Sequence, residues 1–512
     1  MKKPQAQKLR RTIRSAREVS RLASLAAVIA TLAGCASIGP GAPPPAPAEV
    51  ATIAPPQWFV PLPHDGRLVE LSAWWAQFND PLLVELIDSS QAVSPTIASA
   101  QSRIEQSRAA RVAARAALLP TLSGFGAASR GNTTTGLPQA ATTAQLGLQT
   151  AWEIDVFGAN RQAANAAGIR LQSAQSGWHD ARVSMAAETA NSYIALRSCR
   201  QLLDVAVNDA RSRSETARLT ELTTRAGFSA PATAALSRAS AAEGSSRVTQ
   251  QRAACDIEVK TLVALTGMAE PVLQARLGSD AAIASTTQPA APAAAPASPY
   301  TTAAMSGMPP IASLPATVLA QRPDVYQAEL EVAAASYDAG AAYADRFPRL
   351  TLSGSVAAGA IRLGGENTRL DTWSIGPLQL TVPIFDGGRR AANVDAAQAR
   401  YAEASALYAA RVRQAVREVE SALVDLNSAR SRNEDARIAV EGYRASFNAI
   451  EARYKGGLGS LVELEDARRT ALLSETNQVT LQREQISAWI ALYRAAGGGW
   501  TRPQDDRPTA SR

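Results

Sequence analysis

Shifting the 512-residue chain along itself by 228 positions brings a series of identical residues into line between Pro95 and Asn165. Pro95 falls on Pro323, Ala100 on Ala328, Ala113-Ala114 on Ala341-Ala342, Pro120 on Pro348 and Leu122 on Leu350. Further along, Phe157 falls on Phe385, Arg161 on Arg389 and Ala163-Ala164-Asn165 on Ala391-Ala392-Asn393. A shift of 230 then lays Gly227-Phe228 on Gly457-Leu458. One offset held over that length makes the chain two copies of a single unit.

Each copy reads as helix, strand, strand, long helix, turn, helix. Asp80 to Leu118 is helical, interrupted at Pro95 and ended by Pro120. In the stretch 144–156, Ala144, Leu146, Leu148, Trp152, Ile154 and Val156 alternate with Gln145, Gln149, Glu153 and Asp155, the period of a strand. The second copy repeats this in Leu350, Leu352, Val356 and Ala358 against Thr351, Ser353 and Ser355, then in Leu378, Leu380, Val382 and Ile384. Strands are expected at about 119–131, 142–157, 349–363 and 373–385, joined by Gly- and Asn-bearing segments 129–141 and 362–371. No proline occurs in Gly158–Ala226 or Gly388–Lys455, so each predicts a helix of roughly 100 Å at ~1.5 Å per residue. Both end at glycine turns, around 227 and 457, from which the chain returns as a second helix.

Arms of about ten residues or more suit tilted strands of an outer-membrane barrel. Four strands cannot close one, and an open edge in lipid strands backbone polar groups. Membrane insertion would therefore require several copies, eight strands from two or twelve from three. A soluble coiled-coil protein is the alternative that periodicity leaves open.

The N-terminus supplies the address. Residues 1–34 hold eight basic residues and one acid, which accounts for the whole formal charge of +7 and leaves 44 bases against 44 acids in the remainder. A neutral body argues against nucleic-acid binding. The apolar run Leu22–Gly34 is too short to span a bilayer and ends in Leu32-Ala33-Gly34-Cys35, which looks like a bacterial lipobox. Residues 1–34 are read as a lipoprotein signal peptide, with Cys35 as the acylated, palmitate-bearing first residue of a lipid-anchored segment 35–78. Residue 36 is Ala rather than Asp, which favours the outer membrane. The first repeat spans 79–278, an Ala/Pro-rich linker 279–313, the second repeat 314–496 and a C-terminal tail 497–512.

Cys199 and Cys255 each stand 28 residues from Gly227, so an antiparallel hairpin would bring them level and an exported protein would oxidise them. His64 and His179 are the only histidines, which disfavours a metal site. No nucleotide loop, nucleophile triad or cofactor motif is present in the sequence, so neither an enzyme nor a cofactor is expected. Arg322-Pro323-Asp324 reads as a structural helix start and Phe385-Asp386-Gly387-Gly388-Arg389 as a strand-to-helix joint.

Several motifs together resemble the TolC-like outer-membrane efflux channels, more closely the lipidated OprM/NodT branch. They are the lipobox, Trp74-Trp75 before Phe78-Asn79-Asp80-Pro81-Leu82, Leu314-Pro315 with Gln321-Arg322-Pro323-Asp324-Val325, Pro383 to Arg389, and Gly457 to Ala467. The resemblance implies an α+β membrane protein whose duplicated units build a trimeric β-barrel and a long periplasmic α-helical tunnel. It also implies docking to a periplasmic adaptor and a proton-driven inner-membrane pump, with the chain a passive exit duct for small molecules. Type I secretion shares the scaffold, and a trimeric adhesin or structural envelope lipoprotein would use the barrel only as an anchor. By motif position the resemblance makes Asp466 the gate acid, Glu463 an additional acid and Val462 an apolar constriction residue; repeated about an axis they would form a cation-admitting ring. The first hairpin, without matching acids, is expected to serve adaptor contact.

Overall fold

A computed structural model describes Trp75, Phe78 and residues 80–132, 140–286, 319–500 and 502. Cys35, the signal peptide and the tether lie outside the described residues. Helix α1 spans Pro81–Val93, α2 Pro95–Ala116, β1 Thr121–Asn132, β2 Ala140–Ile154, α3 Ala159–Arg225, α4 Pro231–Thr266 and α5 Glu270–Thr286. The second half continues with α6 Pro323–Ala344, β3 Arg349–Leu363, β4 Glu366–Thr381, α7 Arg389–Lys455 and α8 Leu461–Ala495. The chain divides into two compact units. One comprises 103–174 and 328–408; the other holds the remaining described residues.

The first unit is built on an antiparallel sheet in the order β1-β2-β3-β4. Directly paired residues share a face, so the register sorts the side chains. Leu122, Leu146, Leu148, Val356, Trp373 and Ile375 stand on one face and are exposed. The opposite face is polar, with hydroxyl pairs bridging strands at Ser129–Thr143 (2.7 Å) and Ser355–Ser374 (3.0 Å). On this polar face Gly147 and Gly359 lie where neighbouring strands approach closely. A Cβ on Gly147 would sit 2.5 Å from the Val356 carbonyl, and one on Gly359 2.6 Å from that of Ala144. Ser355, Ala357, Gly359 and Ile361 are half-buried while Val356, Ala358 and Ala360 are exposed, so along β3 the polar side is the more sheltered.

Several boundaries differ from the sequence reading. Segment 362–371 is not a connection: β3 and β4 run to a two-residue turn at Gly364-Gly365, whose φ angles of 58° and 93° allow a tight hairpin. β4 stops at Thr381 rather than 385, because Pro383 has no N–H to offer a ladder. β2 stops at Ile154, where Asp155 turns its carboxylate to the Asn160 and Arg161 amides (3.3 and 2.8 Å) at the start of α3. The linker expected from residue 279 begins later, because α5 continues to Thr286 through an Ala-rich, Pro-free stretch.

The second unit holds the main hydrophobic core. Asp80 caps α1, accepting from the Leu82 and Leu83 amides, and also accepts from the buried Tyr193 hydroxyl at 2.8 Å. Leu83 and Leu86 of α1 pack with Tyr193, Ile194 and Leu196 of α3, Leu262 of α4 and Leu273 of α5. Trp75 stands edge-on to Tyr493 of α8, with ring centroids 4.7 Å apart. Each fully buried Leu side chain contributes roughly 1.5–3 kcal/mol.

Candidate functional site

The two hairpin turns close alike. Gly227 (φ 78°) and Gly457 (φ 73°) are left-handed, and the next amide reaches back five residues, Phe228 to the Thr223 carbonyl (2.9 Å) and Leu458 to that of Arg453 (2.8 Å). The helix starts then diverge. Pro231 opens α4 behind Ala230, which makes no side-chain cap. Ser460 opens α8 with a capping box: its Oγ accepts from the Glu463 amide at 3.1 Å, while the Glu463 carboxylate accepts from the Ser460 amide at 3.3 Å.

Along α8, Leu461, Leu464, Arg468 and Ala471 are buried. Val462, Asp466, Arg469 and Leu473, spaced four, three and four apart, form an exposed stripe. Val462 is 70% exposed. Asp466 accepts from Arg469 at 2.5 Å, and both side chains remain solvent-accessible. Thus Glu463 is engaged by the helix start and Asp466 by a cation one turn on, so the stripe carries both signs.

Beside this stripe, the inward-facing Glu465 and Arg468 of α8 build a charged cluster that sequence reasoning missed. Arg213 of α3 donates to Asp209 (2.9 and 3.0 Å), to Ser240 Oγ of α4 (2.6 Å) and to Glu465 of α8 (2.8 Å). Ser240 also donates to Glu465 at 3.0 Å. Arg468 donates to the other Glu465 oxygen, to Thr216 Oγ1 (2.9 Å) and to Ser212 Oγ (3.2 Å), and lies over the Phe447 ring. Burial pushes the Arg468 pKa down while Glu465 opposes that shift; an arginine nonetheless stays protonated. Nearer the turns, the Thr220 and Tyr454 hydroxyls share a 2.7 Å bond. These contacts tie both hairpins of one chain together. The available signal was the run of small residues Ala234, Ser237, Ser240 and Gly244, all buried on α4. Gly244 leaves room for Arg213, whose Cδ would lie 3.0 Å from a Cβ there.

Cys199 and Cys255 form a disulfide joining α3 to α4, with Cα atoms 5.5 Å apart. His179 lies beside Trp178 and Trp500. Among the described residues no group of three or more His, Cys, Asp or Glu is placed to hold a metal ion. Arg322, also buried, donates to Asp324 (2.8 and 3.0 Å), Glu418 (2.7 Å) and the Ala495 carbonyl (3.1 Å), so it anchors the start of α6 to α7 and α8.

Comparison with known proteins follows the same duplication. The family model for outer membrane efflux protein matches residues 86–268 and 314–498, spans whose starts are 228 and whose ends are 230 residues apart. The chain is 28% identical over 434 residues to the solvent efflux pump outer membrane protein SrpC of Pseudomonas putida, covering 84% of this chain and 87% of that protein. It is 28% identical over 485 residues to the pyoverdine export outer membrane protein OpmQ of Pseudomonas aeruginosa, covering 91% and 95%. The solved outer-membrane channel OprN superimposes with a TM-score of 0.75 at 26% identity, covering 90% of this chain and 99% of that one. With its duplicated helix-strand architecture matched in both halves, the chain belongs to the outer membrane efflux protein family and is an efflux channel of the outer membrane.

Proposed function

We propose that three copies of the chain close a twelve-stranded barrel in the outer membrane and that their hairpins form the periplasmic passage leading to it. One observation carries this reading: a four-stranded sheet whose edges β1 and β4 have no partner strand among the described residues, and whose exposed face is apolar. In lipid an unpaired edge costs several kcal/mol per orphaned backbone group, so β4 of one copy must pair with β1 of the next. Strands of 12 to 16 residues reach ~40–50 Å along their length at ~3.3 Å per residue, sufficient at a tilt of about 40° for a bilayer. The polar face then lines the water-filled interior. Cys35 carries the lipid anchor. A periplasmic adaptor docks at the helical end, with the first turn at Phe228 among its contacts, and a proton-driven inner-membrane pump supplies the energy. The cargo is small molecules, drugs or other toxic compounds.

The exposed stripe on α8 is the gate. Val462 supplies the apolar constriction and Asp466 the carboxylate, with Glu463 fixed beside them as part of the helix start. The Asp209–Arg213–Glu465–Arg468 cluster holds each chain's hairpins in the closed arrangement, and the Cys199–Cys255 bond keeps the first hairpin from splaying. The test is direct. Disulfide crosslinking between cysteines placed on β1 and β4 must yield covalent trimers, and a deletion strain must accumulate dyes or antibiotics unless complemented. Monomers alone, or complementation by a chain whose barrel is sealed, would overturn the reading.

A further inference from the structure

On the apolar face of the sheet, charge is confined to one end. The register aligns Arg130, Thr142, Arg362 and Asn367 in one row across β1 to β4, next to the Gly364-Gly365 turn. The row one pleat below is Ala128, Ala144, Ala360 and Arg369, and the next holds Asp371 beside Ala358 and Leu146. Below that the face is apolar, with Leu148, Val356 and Trp373 in line. Arg369 pairs with Asp371 at 2.8 Å, whereas among the described residues Arg130 and Arg362 have no ion-pair partner. Three arginines against one aspartate leave this patch with two net positive charges per chain. Residues 133–139, between β1 and β2, contain no charged residue.

A patch serving only solubility would sit on the polar face. The polar face has no arginine at this end, and its one charged residue there is Glu366 at the start of β4. Height accounts for the placement. From Leu350 to Arg362 the strand advances ~40 Å at ~3.3 Å per residue, a rise of roughly 30 Å when tilted by about 40°, against an apolar band of ~25 Å in barrels of this kind. Arg362 and Arg130 therefore emerge beyond the hydrocarbon at the level of lipid headgroups, with Arg369 able to extend upward from just beneath. Two strand spacings, ~9.5 Å, separate the Arg130 and Arg362 backbones. That is a suitable gap for two phosphates carried on one headgroup, and guanidinium forks suit phosphate oxygens.

We propose that Arg130, Arg362 and Arg369 form a binding site for the phosphate groups of the outer-leaflet glycolipid. This rests on the reading that the apolar face meets lipid. The full chain, purified in detergent as its native assembly, is incubated with bisphosphorylated lipid A and retained lipid is read by native mass spectrometry. Retention is expected to fall at least about tenfold in the R130Q/R362Q/R369Q variant, to fall as much with dephosphorylated lipid A, and to rise in Asp371→Asn. Arg362→Gln alone is expected to show a smaller loss and serves should the triple variant fail to assemble. Equal retention by the variants or equal retention of dephosphorylated lipid overturns the site. Single-channel conductance of the wild type is recorded alongside. A wild type that forms no channel in planar bilayers defeats the membrane reading, whereas conducting variants with undiminished lipid retention defeat only this proposal.

Discussion

The two helical hairpins descend from one duplicated unit and turn with the same backbone hydrogen bonds, yet they carry different chemistry. The first is fastened covalently by Cys199–Cys255 and restarts its helix on a bare proline. The second has no disulfide, restarts on a capping box and contributes Glu465 and Arg468 to a cluster completed by the first hairpin. Duplication thus kept the path of the chain and left the helix surfaces free to specialise. One consequence concerns Glu463: the acid three residues after a helix-starting serine is the capping-box signature, so its place in the sequence does not by itself make it a pore charge.

The comparison breaks most severely at the shared cluster. Glu465→Ala removes the carboxylate set between Arg213 and Arg468, and is expected to cost about 3–5 kcal/mol of stability, read by thermal or denaturant unfolding, and to leave the channel leaky in conductance recordings. Opening the first hairpin's bond with Cys199→Ser/Cys255→Ser should cost about 2–4 kcal/mol, and reductant should produce the same shift in the wild type but none in the variant. Exchanging the helix starts sharpens the contrast. Ser460→Ala should cost about 1 kcal/mol, whereas Ala230→Ser in the first hairpin should lose nothing and gain up to about 1 kcal/mol. On the exposed stripe the effect on stability should stay within about 0.5 kcal/mol, as for other solvent-exposed pairs, but ion selectivity should move in opposite directions. Asp466→Asn weakens the preference for cations and Arg469→Gln strengthens it, measured as reversal potentials across a salt gradient; unchanged potentials in both would remove the stripe from the conduction path.

A pH dependence follows from the base of the second repeat. Burial raises the pKa of Asp324, but hydrogen bonds from Arg322 outweigh it and hold the carboxyl below its ordinary value. Its stabilising contribution is therefore present above the ordinary carboxylate range near pH ~4 and is lost as pH falls through the depressed value. Asp180 is shifted the other way, by burial first and by neighbouring Asp324 second. Asp180→Asn is accordingly expected to raise the midpoint of thermal unfolding at pH 7, and Asp324→Asn to lower it by an amount that shrinks in acid.

What could be read in advance follows from the physics of each feature. Repetition is visible because residue identity survives at a fixed offset, and Cys199 and Cys255 are paired by arithmetic because a hairpin converts equal distances along the chain into equal heights. Strand ends were less legible. Whether Gly364-Gly365 closes a tight turn or belongs to a long connection depends on backbone angles that any glycine permits. The Arg213–Glu465 contact joins residues 252 apart on two helices, and no local pattern marks which arginine of a helix faces inward. The basic row on the sheet needed the register, since Arg130 and Arg362 become neighbours only through Thr142.

The bare margins of the four-stranded sheet also govern how the protein comes into being. In the proposed threefold barrel, a subunit whose β1 or β4 cannot accept its neighbour would interrupt the whole circle, so one faulty copy would disable two sound ones. Under random mixing of equal amounts, only about one threefold assembly in eight would escape. A chain with a blocked margin should therefore behave as a dominant poison in a cell that still makes the normal one.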